Sequence, residues 1–112
     1  MPEGVAIRHY VTRNGRDVFE EWLSTLADVR AQAKIAVRID RLASGNFGDS
    51  KSLGNGVHEL RIDWGPGYRV YYAMSARSTA LLLCGGDKRA QTTDIARARK
   101  YLGDYKTRTE KK

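Results

Sequence analysis

The chain has 112 residues, 41% of them apolar, and a net charge of +7. That length suits one domain with one core, and that apolar fraction argues against disorder. No window approaches the roughly 18 apolar residues of a membrane span, and the single cysteine, Cys84 in "ALLLC", excludes an intrachain disulfide and fits a buried thiol in a reducing compartment. A soluble, cytoplasmic protein is the expectation.

In chain order, "VAIRHYV" alternates as a first strand over residues 5–11, and "RNG" breaks it. From Asp17 the spacing becomes helical. Val18, Phe19, Trp22, Leu23 and Leu26 recur at three and four residues. A break near Asp28–Arg30 leads to a second helix with a stripe of Ile35, Ala36, Ile39, Leu42 and Ala43. Gly45 supplies its stop. Residues 44–56, "SGNFGDSKSLGNG", read as a loop. Three runs rich in β-branched and aromatic residues follow at 57–63, 68–75 and 79–84, separated by "WGPG" and "SARS". They predict an antiparallel meander. A last helix starts near Thr92 or Thr93, turns Ile95, Ala98, Leu102 and Tyr105 inward, and ends near Gly103.

The order β-α-α-β-β-β-α predicts a single α+β domain over residues 1–104, an antiparallel sheet with its helices packed on one face. A basic, mobile tail is expected over 105–112. Residues 88–112 hold nine basic and three acidic groups, +6 of the total +7. Such an uneven charge points to a polyanionic partner or to a solvated basic helix.

The hairpin "GVHELRIDWGPGYRVYY", residues 57–73, poses the functional question. Leu60 and Ile62 share one strand face, and Glu59, Arg61 and Asp63 share the other. Val70 and Tyr72 share a face, with Arg69 and Tyr71 opposite. Bringing the two apolar sets together under the helices puts Arg61 and Arg69 together on the uncovered face, either directly paired or diagonal. Directly opposed like charges cost up to about 1 kcal/mol. Two readings stand: an ion-pair network with Glu59 and Asp63, or an anion site. Lys51 before the hairpin, and Lys88 and Arg89 after its third strand, add cations near the same surface. Guanidinium forks and a nearby tyrosine suit a phosphate backbone. His58 falls on the Leu60 face as a packed strand residue, and His9 sits in the first strand.

Three stretches, "FEEWLSTL", "RIDRLASGNFGDSKSLGNGVHELRIDWGPGYRVYY" and "LLLCGGDKRAQTTDIARARKY", resemble the RelE/ParE toxin superfamily over about residues 4–104. They are most similar to its phage-derived addiction module killer branch, related to HigB. The resemblance implies the toxin of a type II toxin–antitoxin pair, a ribosome-dependent mRNA endonuclease that needs no metal or other cofactor. It implies mRNA and the ribosome as partners, and neutralisation by a cognate antitoxin of helix-turn-helix type. It also leaves open a ParE-like inhibitor of DNA gyrase, or a catalytically weak toxin that mainly binds its antitoxin. By the same resemblance Lys51, Arg61, Arg69 and Lys88 are the candidate catalytic residues. Arg61 and Arg69 would hold the scissile phosphate, and Lys51 or Lys88 would act as base or charge stabiliser. Tyr71, Arg89 and Gln91 are the candidate RNA contacts.

Overall fold

The computed structural model describes residues 4–76 and 78–110. Asp17 accepts the Glu20 amide at 3.0 Å and opens α1, Val18–Thr25. Asp28 accepts the Arg30 amide at 2.9 Å and opens α2, Val29–Ala43. Each carboxylate satisfies an amide that has no partner in the first turn. Gly45 follows α2 with φ +92°, a left-handed conformation that costs glycine nothing. The expected helical hairpin is present. Its stripe on α2 is Ala31, Ile35 and Leu42 with Ile39 partly buried, whereas Ala36 is exposed.

Five strands form one sheet: β1 Ala6–His9, β2 Ser50–Ser52, β3 His58–Ile62, β4 Tyr68–Ser75 and β5 Thr79–Asp87, in the order β1-β5-β4-β3-β2. Strands β2 to β5 are an antiparallel meander, but β1 lies parallel to β5. The sheet is therefore mixed rather than antiparallel. Strand β2 lies inside the segment expected to be a loop. Three residues are too few to display alternation, and they become a strand only by pairing along β3.

The helices do not share one face, as expected from the sequence, but sandwich the sheet. Helices α1 and α2 cover Leu60, Ile62, Val70, Tyr72, Ala80 and Leu82 through Phe19, Ile35 and Leu42. Helix α3, Gln91–Glu110, covers Tyr71, Ala73, Leu81, Leu83 and Cys84 through Ala98 and Leu102. A register shift at Tyr71/Tyr72 turns both Leu83 and Cys84 toward α3. Burial pushes the Cys84 thiol up to about 12, as expected of a core cysteine.

The adjacent Gly85 and Gly86 serve one face each. A Cβ on Gly85 would run into the Trp22 ring of α1, and one on Gly86 into the Asp94 carboxylate of α3. The pair lets both layers approach β5 closely. Gly85→Ala should therefore destabilise the fold by about 1–3 kcal/mol, the usual effect of overpacking, measured as a lower urea midpoint with an unchanged slope.

The last helix also differs from expectation. Asp87 caps a 3-10 turn, Lys88–Ala90, by accepting the Arg89 amide, and α3 starts directly after it at Gln91. The helix runs through Gly103 to Glu110. A glycine inside a helix costs about 1 kcal/mol. Here the following turns are tied down: Asp104 accepts from Tyr10 at 2.6 Å and from Arg13 at 3.0 Å, and pairs with Arg108 at 2.9 Å. Residues 105–110 of the expected tail are thus helix, and Lys111 and Lys112 lie outside the described residues. Among the described residues no helix is long and apolar enough to cross a membrane.

Candidate anion site on the β3–β4 hairpin

The register of β3 and β4 sets Arg61 directly opposite Arg69, with Leu60 opposite Val70 and Ile62 opposite Tyr68. Burial of the apolar pairs under α1 and α2 turns both guanidinium groups to the other side of the sheet. There, α3 begins over Glu59 and Tyr71 and leaves the end of the hairpin uncovered. The "WGPG" turn closes with the Gly67 amide on the Trp64 carbonyl at 3.0 Å, and the Lys88 amide bonds the Gly67 carbonyl at 2.8 Å. Gly67 sits at φ +84°, so a side chain there would be strained. This bond brings the start of the 3-10 turn against the hairpin. The result is an open cavity of about 360 Å³ lined by Asp49, Arg61, Asp63, Gly65, Pro66, Gly67, Arg69 and Lys88.

Three of the four expected catalytic cations therefore meet in one cavity. Lys51 does not line it. It lies on the edge strand β2, opposite Glu59, exposed and without an ion pair among the described residues. Each arginine has a carboxylate partner. Arg61 meets Asp49 at 2.9 Å, in a pair whose side chains are 40% and 56% exposed. Arg69 lies 3.6 Å from Glu59, and these two side chains are 12% and 1% exposed. Of the carboxylates expected to neutralise the arginines, Glu59 does so, and Asp49 takes the place expected for Asp63.

The expected RNA contacts divide. Arg89 is exposed and paired with Asp87 at 2.9 Å, which holds the Asp87 carboxyl below its usual range. Gln91 donates to Glu59 at 2.6 Å and so holds the carboxylate behind Arg69. Tyr71 is fully buried beneath α3. Neither face of its ring is open to a base, which corrects its expected role. Its hydroxyl has no hydrogen-bond partner among the described residues, and burial raises its pKa. Asp94, buried beside Gly86 and paired with Arg97 at 3.1 Å, also has its pKa raised by burial. Removing an unpaired buried hydroxyl takes away a desolvation penalty. Tyr71→Phe should be at least as stable as the parent, checked by thermal melting.

A model of the family described as "Phage derived protein Gp49-like (DUF891)" matches residues 21–102. A protein of Haemophilus influenzae (strain Rd), described as uncharacterized, is 54% identical over 81 residues, 72% of this chain and 82% of the relative. The chain belongs to the Gp49-like family. Every residue lining the hairpin cavity falls inside the segment matched by the Gp49-like model.

Two residues that shape this cavity in the Gp49-like chain carry no signal in the sequence: Asp49, which lines it, and Arg38, which lies beside it. Asp49 precedes the unforeseen β2, so its approach to Arg61 depends on a pairing that has no local signal. Arg38 reads simply as a charge off the apolar stripe of α2. It donates to the Arg61 carbonyl, and through its second nitrogen to the carbonyls of Phe47 at 3.5 Å and Asp49 at 3.4 Å. It thereby ties the loop that carries Asp49 to the strand that carries Arg61. Among the described residues no group of three or more His, Cys, Asp or Glu side chains is placed to hold a metal.

Proposed function

We propose that this protein is the toxin of a type II toxin–antitoxin module and that it cuts mRNA on the ribosome at the hairpin cavity. The observation that carries the reading is the direct opposition of Arg61 and Arg69, with Lys88 lining the same cavity. Lys88 has no ion pair among the described residues, the Arg61–Asp49 pair is half exposed and so exchangeable, and the cavity is open enough for a phosphate. The toxin–antitoxin context of the Gp49-like family supports the same reading.

The chemistry uses the ribose 2′-hydroxyl as nucleophile. It attacks the phosphorus, the 5′ oxygen leaves, and the products are a cyclic phosphate and a 5′-hydroxyl end. Charge on the phosphorane oxygens develops where Arg61 and Arg69 stand, and preorganised charge there is usually the largest catalytic contribution. On this reading phosphate displaces Asp49 from Arg61, an exposed pair worth about 0–1 kcal/mol. Lys88 supplies the third charge or the base. Lys51, on the neighbouring edge strand, contacts the backbone of the bound strand.

A second reading, a catalytically weak toxin that mainly binds its antitoxin, is favoured by one observation: the buried Tyr71 gives the cavity no aromatic or proton-donating phenol. Inhibition of DNA gyrase is the remaining alternative. Mapping RNA 5′ ends after induction separates the three. The nuclease gives new 5′-hydroxyl ends inside reading frames, and purified chain with ribosomes reproduces them in the presence of a chelator. Intact transcripts with broken DNA would point to gyrase, and growth arrest with neither lesion to the weak toxin.

A further inference from the structure

Helix α2 carries apolar residues on two sides. One side builds the core. The other is a solvent-facing stripe of Val29, Ala33 and Val37 at a spacing of four, with Val29 73% and Val37 46% exposed. Beside Val37, where α2 passes the end of β3, a groove of about 290 Å³ is floored by Ile62 and bordered by Lys34, Arg38 and Arg41. Asp63 is the one carboxylate among the described residues that line it. Lys34 and Arg41 are exposed and have no ion pair among the described residues. An aliphatic stripe edged by unneutralised cations is a surface that lacks its complement.

We infer that this groove docks an acidic helical segment of a partner protein, with an aliphatic side chain seated beside Val37 and carboxylates on Lys34 and Arg41. The apolar part of the groove is aliphatic. Among the described residues no aromatic side chain lines it, and nearby Trp64 already carries the Lys34 ammonium over its ring at 4.4 Å, so the groove lacks the stacking platform that a single-strand binding surface offers. A second copy of this chain is disfavoured for another reason: two such stripes face to face would oppose Lys34 and Arg41 with like charges. A helix with aliphatic residues four apart and glutamates between them matches both features. Asp63 also lines the hairpin cavity, so the occupant of the groove borders the Arg61 site. The inference does not depend on whether that site cuts RNA.

The test is a titration of the full isotope-labelled chain, followed by amide shifts. The probe is a short synthetic glutamate-rich helical peptide with two leucines four residues apart. Controls replace the leucines by alanine or the glutamates by glutamine. Shifts should centre on Ala33, Val37 and Ile62. Affinity should fall roughly tenfold or more with either control peptide, with Val37→Asp and with Lys34→Glu/Arg41→Glu. All three positions are exposed, and unchanged melting of the variants confirms that they fold. Arg61→Ala should leave peptide affinity within about twofold, which separates this groove from the hairpin cavity. Shifts confined to Arg61, Arg69 and Lys88, or affinity indifferent to Val37→Asp, would overturn the inference. So would a uridine oligonucleotide that moves Val37 more strongly than the peptide does.

Discussion

Arg61→Ala should lower RNA cleavage by about 10²- to 10³-fold, the usual effect of removing one preorganised stabiliser of a developing oxyanion, while leaving the fold nearly as stable as before. The two halves of that expectation have separate causes. The Arg61 side chain is 40% exposed and its partner Asp49 is 56% exposed, so their pair is screened by water and contributes roughly 0–1 kcal/mol. Removing Arg61 also relieves its opposition to Arg69 across the strands, an unfavourable contact of similar size, up to about 1 kcal/mol. Stability therefore barely moves, and the functional loss cannot be laid to unfolding. Arg61→Lys should recover only part of the activity, because an ammonium keeps the charge but not the two-pronged geometry that fits a phosphate. Single-turnover cleavage of a ribosome-bound transcript measures the first half, and a urea titration the second. Full activity in a folded Arg61→Ala chain would remove the hairpin cavity from the mechanism.

The parity of the hairpin was the most legible part of the molecule. Alternation in "HELRI" and "YRVYY" puts Leu60, Ile62, Val70 and Tyr72 on one face and Arg61 and Arg69 on the other, directly paired or diagonal, and the strands take the direct pairing. A one-residue slip would turn the apolar set of one strand away from that of the other, so only registers of the same parity are open. The covering layers were harder to read. Every residue from Ala80 to Gly86 is buried, and a strand that is apolar on both sides is the mark of a sheet covered on both faces. "ALLLC" carried that signal. The basic composition of α3, whose inward residues are few and small, concealed which face it took. Tyr71 suffered most from this. Its place on the strand face opposite to Tyr72 is legible from alternation, but the face it shares with Arg69 is solvent only beyond the start of α3. Asp49 and Arg38 were illegible for a different reason. Both act through backbone groups and pairings brought together across more than ten residues of chain, and no local periodicity encodes such contacts.

Glu59→Ala should have the opposite profile to Arg61→Ala, a large loss of stability whatever the RNA does. Glu59 is 1% exposed, accepts the Gln91 amide at 2.6 Å and lies 3.6 Å from the Arg69 guanidinium, whose own side chain is 12% exposed. The Arg69 Nε has no hydrogen bond among the described residues, so this carboxylate is the counter-charge that makes its burial tolerable. Removing it strands one cation and one amide donor, and leaving an uncompensated buried charge costs about 3–5 kcal/mol. Glu59→Gln divides the effect: its carbonyl can still accept from Gln91, so the remaining loss isolates the charge on Arg69. Adding Arg69→Ala to Glu59→Ala removes the stranded cation and should return about 0.5–3 kcal/mol, the range measured for groups in contact. Urea midpoints of the two single variants and the double variant close that cycle. If the two losses simply add, Glu59 and Arg69 are uncoupled, and the second guanidinium of the hairpin is held by packing alone rather than by the buried carboxylate behind it.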